Sequence, residues 1–181
     1  MGDFTINQKN VITQSGSAEP VLASNVVFPV NHIVQILYGG SVASSTGTTT
    51  FPVDDTIPQK TEGDEKFTLA ITPKSATNKL MFDVRVFAAN SAQYAWLTVA
   101  LFQDSIANAI ASGTTMVAAQ ANGIGQLSFV HQQTSGTTSA ATFKVRIGCS
   151  GGTTTLNGHG NGSRLHGGTL TSSLTIYEIQ Q

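Results

Sequence analysis

The densest set of chemically capable side chains lies in one glycine-rich stretch, residues 148–168, which carries His159, Asn161, Arg164 and His166. Imidazole, amide and guanidinium groups supply hydrogen-bond donors and acceptors suited to neutral polar ligands such as glycans. Loops on a rigid β scaffold are where binding residues usually sit. Tyr94 and Trp96 offer flat faces on which a sugar ring can stack. The candidate ligand contacts are therefore Tyr94, His159, Asn161, Arg164 and His166. The competing use of the same loop is packing, in which glycines let the backbone lie against a neighbour and the side chains only satisfy backbone groups.

Nothing in the chain reads as a catalytic site. There is no H-E-x-x-H, P-loop or C-x-x-C pattern. The run Gly158-His159-Gly160-Asn161-Gly162 lacks the third glycine of a dinucleotide loop, and no helix pattern follows it. Acidic residues cluster at Asp54-Asp55 and at Glu62, Asp64 and Glu65, in a Pro-rich connection where solvated loop charge is the expected role rather than acid–base or Ca²⁺ chemistry. The strands supply only isolated Asp83 and Asp104, too little for a glycan-cleaving acid pair. The four histidines, His32, His131, His159 and His166, are dispersed, and the single Cys149 allows neither an intrachain disulfide nor a cysteine metal cluster. Cys149 alternates in phase with Val145 and Ile147 and is expected to face inward. The expectations are no enzyme activity, no catalytic residue, no metal and no cofactor. Asn161-Gly-Ser163 fits a glycosylation sequon, but Met1-Gly-Asp-Phe lacks the basic start and apolar run of a secretory signal.

Composition bounds the rest. Asp, Glu, Lys and Arg make up 10% of 181 residues, and the net charge is -1. A typical soluble domain is about a quarter charged. In their place stand 24 Thr, 17 Ser and 18 Gly, and no carboxylate or amine occurs between Asp104 and Lys144. Threonine is β-branched and suits a pleated, half-wet surface, so this coat favours strands. Near-zero charge leaves little repulsion between copies. Scattered single cations do not form the patch that nucleic acid requires. No apolar run approaches the length that spans a bilayer, and no membrane insertion is expected.

Periodicity predicts an all-β fold, an antiparallel sandwich of jelly-roll type. Residues 1–25 show no sustained period and are expected to form an N-terminal arm or attachment segment ahead of a sandwich domain over 26–181. From Val26 onward alternation dominates: Phe67/Leu69/Ile71, Leu80/Phe82/Val84/Val86, Leu97/Val99/Leu101, Phe143/Val145/Ile147 and Leu174/Ile176. Asn-Gly at 122–123, 157–158 and 161–162 marks tight turns. The strand Trp96–Phe102 is apolar on both faces, which allows either a covering loop of the same chain or a subunit interface. The low charge tips the balance to an interface formed by Trp96, Thr98, Ala100 and Phe102.

Two stretches resemble virion proteins of tailed bacteriophages of the fibre, spike and decoration type. One runs Pro52-Val-Asp-Asp-Thr-Ile-Pro-Gln-Lys-Thr-Glu-Gly-Asp-Glu65 into Phe67-Thr-Leu-Ala-Ile-Thr-Pro-Lys-Ser-Ala-Thr-Asn-Lys-Leu80; the other is Gly167-Gly-Thr-Leu-Thr-Ser-Ser-Leu-Thr-Ile-Tyr-Glu-Ile179. The resemblance covers roughly Val26 to the end and carries over no active site. It implies a β-sandwich tip, usually a homotrimer, docked onto other virion proteins through its N-terminal part. The expected role is a tail-fibre or spike tip that binds a host cell-surface glycan, made in the host cytoplasm and carried on the virion. The alternative is an architectural head or tail decoration protein.

Overall fold

The computed structural model describes residues 3–23, 26, 28–117 and 121–181, is nearly all β, and pairs its strands antiparallel. By internal contacts the chain divides into two units, Met1–His32 and Ile33–Gln181. The division expected after residue 25 falls beside residues 24, 25 and 27, which lie outside the described residues. The first unit is a three-stranded sheet of β1 (Phe4–Ile6), β2 (Lys9–Thr13) and β3 (Val21–Leu22) in that order. Asn7 and Gln8, both at positive φ (49° and 63°), close the first hairpin with the backbone twist that two-residue turns need. Strands of two to five residues are too short to show a period, which is why alternation is not visible here.

The second unit is the sandwich. Its strands are β4 (Ile33–Ser41), β5 (Ser45–Gly47), β6 (Asp64–Ile71), β7 (Lys79–Asn90), β8 (Ala95–Gln103), β9 (Ala111–Val117), β10 (Ile124–Thr134), β11 (Ala141–Cys149), β12 (Thr154–Leu156) and β13 (Ser172–Ile179). One sheet runs β4-β13-β7-β12-β5 with β10 on the other edge of β7, and the second runs β6-β11-β8-β9. The inward residues of β7 (Leu80, Phe82, Val84, Val86 and Ala88) are all buried, as are Leu97, Val99 and Leu101 of β8 and Phe143, Val145 and Ile147 of β11. Phe82 and Phe143 meet across the two sheets with ring centroids 4.5 Å apart. Removing each such side chain from water contributes about 1.5–3 kcal/mol. Cys149 is buried in this core, and burial pushes its thiol pKa up.

The long strand β7 splits its partner edge. Residues 79–85 pair with β13, and residues 88–90 pair with β12. Asn157, fully buried at positive φ (52°), fills the fork. Its N–H donates to Phe87 O (2.9 Å), and its Nδ2 donates to Ser41 O (2.7 Å) and Ala43 O (3.3 Å). Its Oδ1 accepts from Ser172 Oγ (2.6 Å), whose own oxygen accepts from Phe87 N (2.9 Å). One side chain therefore fixes where β12 ends and β13 begins.

A loop of the same chain covers much of the doubly apolar strand. On the outer face of β8, Ala100 and Phe102 pack under the buried Phe51. The Phe51 ring lies against Gly63 (φ +59°) and Gly148, where a Cβ would come within 2.8 Å and 3.1 Å of its Cδ2. Thr98 is buried beside Thr114, hydroxyl to hydroxyl at 3.1 Å. Of the four residues expected at an interface, only Trp96 is open, 44% exposed beside its cross-strand partner Met116, 48% exposed.

Candidate functional site

The candidate ligand residues divide between local duties and exposure. Tyr94 is exposed at positive φ (53°) in the β7–β8 turn. Asn161 Oδ1 accepts from Ser163 N (3.0 Å) and from Ser163 Oγ, closing a small turn. His159 N and Gly162 N extend that turn with bonds to Ser163 O and His159 O (both 2.8 Å). Arg164 lies along Gly168, whose Cβ would stand 2.9 Å from Nη1. His166 is exposed at positive φ (48°) in the 3-10 turn His166–Gly168. Buried polar atoms without a hydrogen-bond partner among the described residues are His159 Nδ1 and Thr155 Oγ1.

Asn90, buried at the end of β7, knits the loops of this end together. Its Nδ2 donates to Gly151 O (2.8 Å), its Oδ1 accepts from Ala92 N (2.7 Å), and its O accepts from Asn122 N (2.9 Å). Gly160 packs so closely on Asn122 that a Cβ would lie 2.5 Å from Asn122 Cα. The structure thus brings the Tyr94 turn and the His159–Asn161 turn to one end of the sandwich, with Arg164 and His166 on the returning limb.

A second arrangement escaped the sequence reading. The outer faces of β4, β13, β7 and β10 form a groove whose lining is strand side chains, with Thr171 just ahead of β13. Register places Tyr38, Thr175, Asp83 and Val130 in one row across the four strands. The next row holds Gly40, Ser173, Arg85 and Ser128; the row on the other side begins Ile36, Tyr177, Met81. In the middle, Arg85 grips Asp83 with both fork nitrogens, Nη2 to Oδ2 at 2.8 Å and Nε to Oδ1 at 3.2 Å. That bidentate geometry satisfies both carboxylate oxygens and raises the Arg85 pKa further, chiefly through the hydrogen bonds. The pair is electrically neutral. It still presents outward guanidinium N–H donors and carboxylate lone pairs. Tyr38 is 62% exposed and Tyr177 half-buried, so aromatic rings flank the Asp83–Arg85 pair, with Ile36 and Phe87 adding apolar lining. The signal was present as alternation: Asp83 and Arg85 fall out of phase with the buried Phe82 and Val84.

Four of the acids that cluster in sequence, Asp54, Glu62, Asp64 and Glu65, are held locally. Asp54 accepts from Thr56 N (2.9 Å) and Oγ1 (2.6 Å), and those bonds lower its pKa. Glu62 accepts from Gln59 N (2.9 Å), and Asp64 from Thr49 Oγ1 (2.9 Å). Glu65 stands 3.3 Å from Lys144 and 3.7 Å from Arg146. No group of three or more metal-ligating side chains forms among the described residues.

No protein-family model and no curated protein sequence matches the chain. Among solved structures it is similar to the sugar-binding C-terminal domain of EclA (18% identity, TM-score 0.33, covering 80% of this chain and 85% of that one). It is similar also to the protein of infectious bursal virus derived T=1 particles (15%, 0.37, covering 95% and 41%). A third is the enzymatically active domain of tailspike protein 4 of bacteriophage CBA120 (16%, 0.29, covering 67% and 18%). The chain spans less than half of the capsid chain and less than a fifth of the tailspike chain. At TM-scores below 0.5 these likenesses carry no conclusion about family or function.

Proposed function

We propose that the chain is a non-enzymatic protein of a tailed-bacteriophage particle that attaches to a neutral glycan on the host surface. The observation that carries the binding half is the groove over β4, β13, β7 and β10, with its flanking aromatic rings and its one acid locked to Arg85. A hydrolase needs two carboxylates facing one bond, one of them free to move a proton. Here Asp83 has both oxygens engaged and no acidic partner lines the groove. Stacking on tyrosine together with hydroxyl–amide and hydroxyl–guanidinium bonds is the chemistry of sugar recognition without turnover. The virion half rests on the resemblance of residues 52–80 and 167–179 to phage fibre, spike and decoration proteins.

The same reading includes self-association as a homotrimer and docking to other virion proteins through the N-terminal unit. A purely architectural decoration protein is the second reading, favoured by one observation, the exposed apolar pair Trp96–Met116. The test is adsorption. Purified chain added in excess should block adsorption of the particles that carry it and should bind polysaccharide extracted from the host surface without releasing reducing ends. Blocking without glycan binding favours a protein receptor, unimpaired adsorption favours the decoration reading, and release of reducing ends overturns the non-enzymatic assignment.

A further inference from the structure

We propose that the groove takes a neutral polysaccharide by the interior of its chain, laid across the strands, with the ring of Tyr38, packed over Gly40, as the stacking platform. The inference deepens the glycan-binding reading above and rests on it.

The platform is set by a missing side chain. Tyr38 and Gly40 point to the same outer face of β4, two residues apart. A Cβ on residue 40 would stand 2.7 Å from Tyr38 Cζ and 2.8 Å from its Cε1, so the ring occupies the space a side chain would fill. With its phenol end over the strand glycine, Tyr38 stays 62% exposed. That open ring surface is where a sugar ring stacks, and a tyrosine with two rotatable bonds gives this area at low entropic cost. Gly40 also has no positive φ, so an added methyl group disturbs the ring rather than the backbone.

The length and openness of the groove select chain interiors. It runs from β4 at one end of the sheet order to β10, which pairs with β7. Three inter-strand spacings of about 4.8 Å make a run of roughly 14 Å, enough for several sugar rings. Recognition of a chain terminus requires a wall that stops the chain. The lining here is strand side chains, and the one residue outside a strand, Thr171, borders β13 in the middle of the sheet.

The charge pattern selects neutral sugars. Arg85 is the only cation lining the groove, and its two fork nitrogens are spent on Asp83 at 2.8 Å and 3.2 Å. An acidic sugar would have to displace Asp83 from that fork and would face an uncompensated carboxylate. A hydroxyl can bridge the outer edge of the intact pair, donating to Asp83 and accepting from Arg85. Gln126 and Thr175 extend the neutral donor–acceptor surface on either side.

The test is isothermal titration of the full chain with neutral gluco-, manno- and galacto-oligosaccharides of one to six units, the matching hexasaccharides blocked at both ends, and an oligouronate of six units. For the sugar type that binds, the hexasaccharide should bind at least tenfold more tightly than the monosaccharide, end-blocking should change affinity less than twofold, and the oligouronate should not compete. Tyr38→Ala and Gly40→Val should each weaken binding tenfold or more while melting temperature and far-UV circular dichroism stay as in the parent; Tyr38→Phe should retain binding. A monosaccharide as good as the hexasaccharide, loss on end-blocking, preference for the uronate, or an unaffected Tyr38→Ala protein would each overturn the proposal while leaving glycan binding standing. Failure of every sugar, including dextran, mannan and galactan beads, would overturn both the proposal and the reading beneath it.

Discussion

The Nδ2 of Asn78 donates to a Glu178 carboxylate oxygen at 2.6 Å, joining residues one hundred positions apart at a site where both side chains are buried. Gln35 Nε2 at 2.6 Å, Lys74 N at 2.8 Å and Ser75 N at 3.3 Å complete the set of donors. Burial acts to raise the Glu178 pKa, and these hydrogen bonds outweigh it and hold the pKa below its ordinary value. A buried anion is here solvated by neutral groups alone among the contacts described. The arrangement ties the closing strand β13 to the 72–78 turn and to β4, and so fixes one end of the groove.

Stability should therefore depend on acid. A carboxyl group whose folded pKa is depressed contributes stability that is present above its unfolded value, 4.5, and is lost as pH falls through the folded value. Glu178→Gln should remove that dependence and turn a donor toward donors, costing about 2–3 kcal/mol, or roughly 5–10 °C in Tm at neutral pH. Thermal melts of parent and variant from pH 7 to pH 3 check this. The gap between them should narrow as pH falls; a constant gap would show that the Glu178 charge is not what matters.

The fork in the sheet makes a second measurement possible. Asn157→Ala removes the amide that serves Ser41, Ala43 and Ser172 and leaves alanine at a φ of 52°. The loss should be about 2–3 kcal/mol. Asn157→Gly relieves the backbone but not the hydrogen bonds, and should recover only part of it. Denaturant titration of the three proteins separates the two contributions, and equal stability of the alanine and glycine variants would assign the whole effect to the amide.

How much of this was legible in sequence depends on where each residue's partner lies. β11 was plain because Phe143, Val145 and Ile147 alternate with Lys144 and Arg146, and both sets obey their faces. β10 was not. Its inward positions are Gly125, Leu127, Phe129, His131 and Gln133, while Val130 points outward at 64% exposure, so hydrophobicity and burial run out of phase. His131 is accommodated by stacking on Phe82, centroids 6.1 Å apart. Phe51 sits among Thr, Pro and Asp with no period around it, and only tertiary packing reveals it as the cover of Ala100 and Phe102. The groove was invisible for a related reason. Tyr38, Asp83 and Tyr177 are far apart in the chain and become neighbours only through the β4–β13–β7 pairing, which no local pattern encodes.

Phe102 and Trp96 give opposite outcomes for changes on one sheet face. Phe102→Ala should destabilise the sandwich by about 3–5 kcal/mol, because it removes a buried ring packed under Phe51. Trp96→Glu should leave the fold intact, because Trp96 is 44% exposed in the single chain. If the protein is a homotrimer joined through Trp96 and Met116, sedimentation velocity should show the parent as a trimer at micromolar concentration and Trp96→Glu as a folded monomer. A parent that sediments as a monomer removes the trimer from the reading.

The loop end and the sheet groove are separable as sites of attachment, and a paired set of variants decides between them. Arg164→Ala tests the loop cleanly, since the Arg164 guanidinium lies along Gly168 and holds no part of the core. Asn161→Ala is less clean, since Asn161 Oδ1 closes the turn through Ser163 N at 3.0 Å. In the groove, Arg85→Ala frees Asp83 and leaves a charged acid where a neutral pair stood, while the exposure of Arg85 keeps the cost to stability small. With the groove as the glycan site, Arg85→Ala should weaken glycan binding tenfold or more, and Arg164→Ala should change it less than twofold. Particle adsorption should fall more steeply than isolated binding for Arg85→Ala, because several copies engage at once and each loss multiplies. The reverse ranking, with Arg164→Ala crippling adsorption and Arg85→Ala harmless, would move the attachment site to the Tyr94–His159 end of the sandwich.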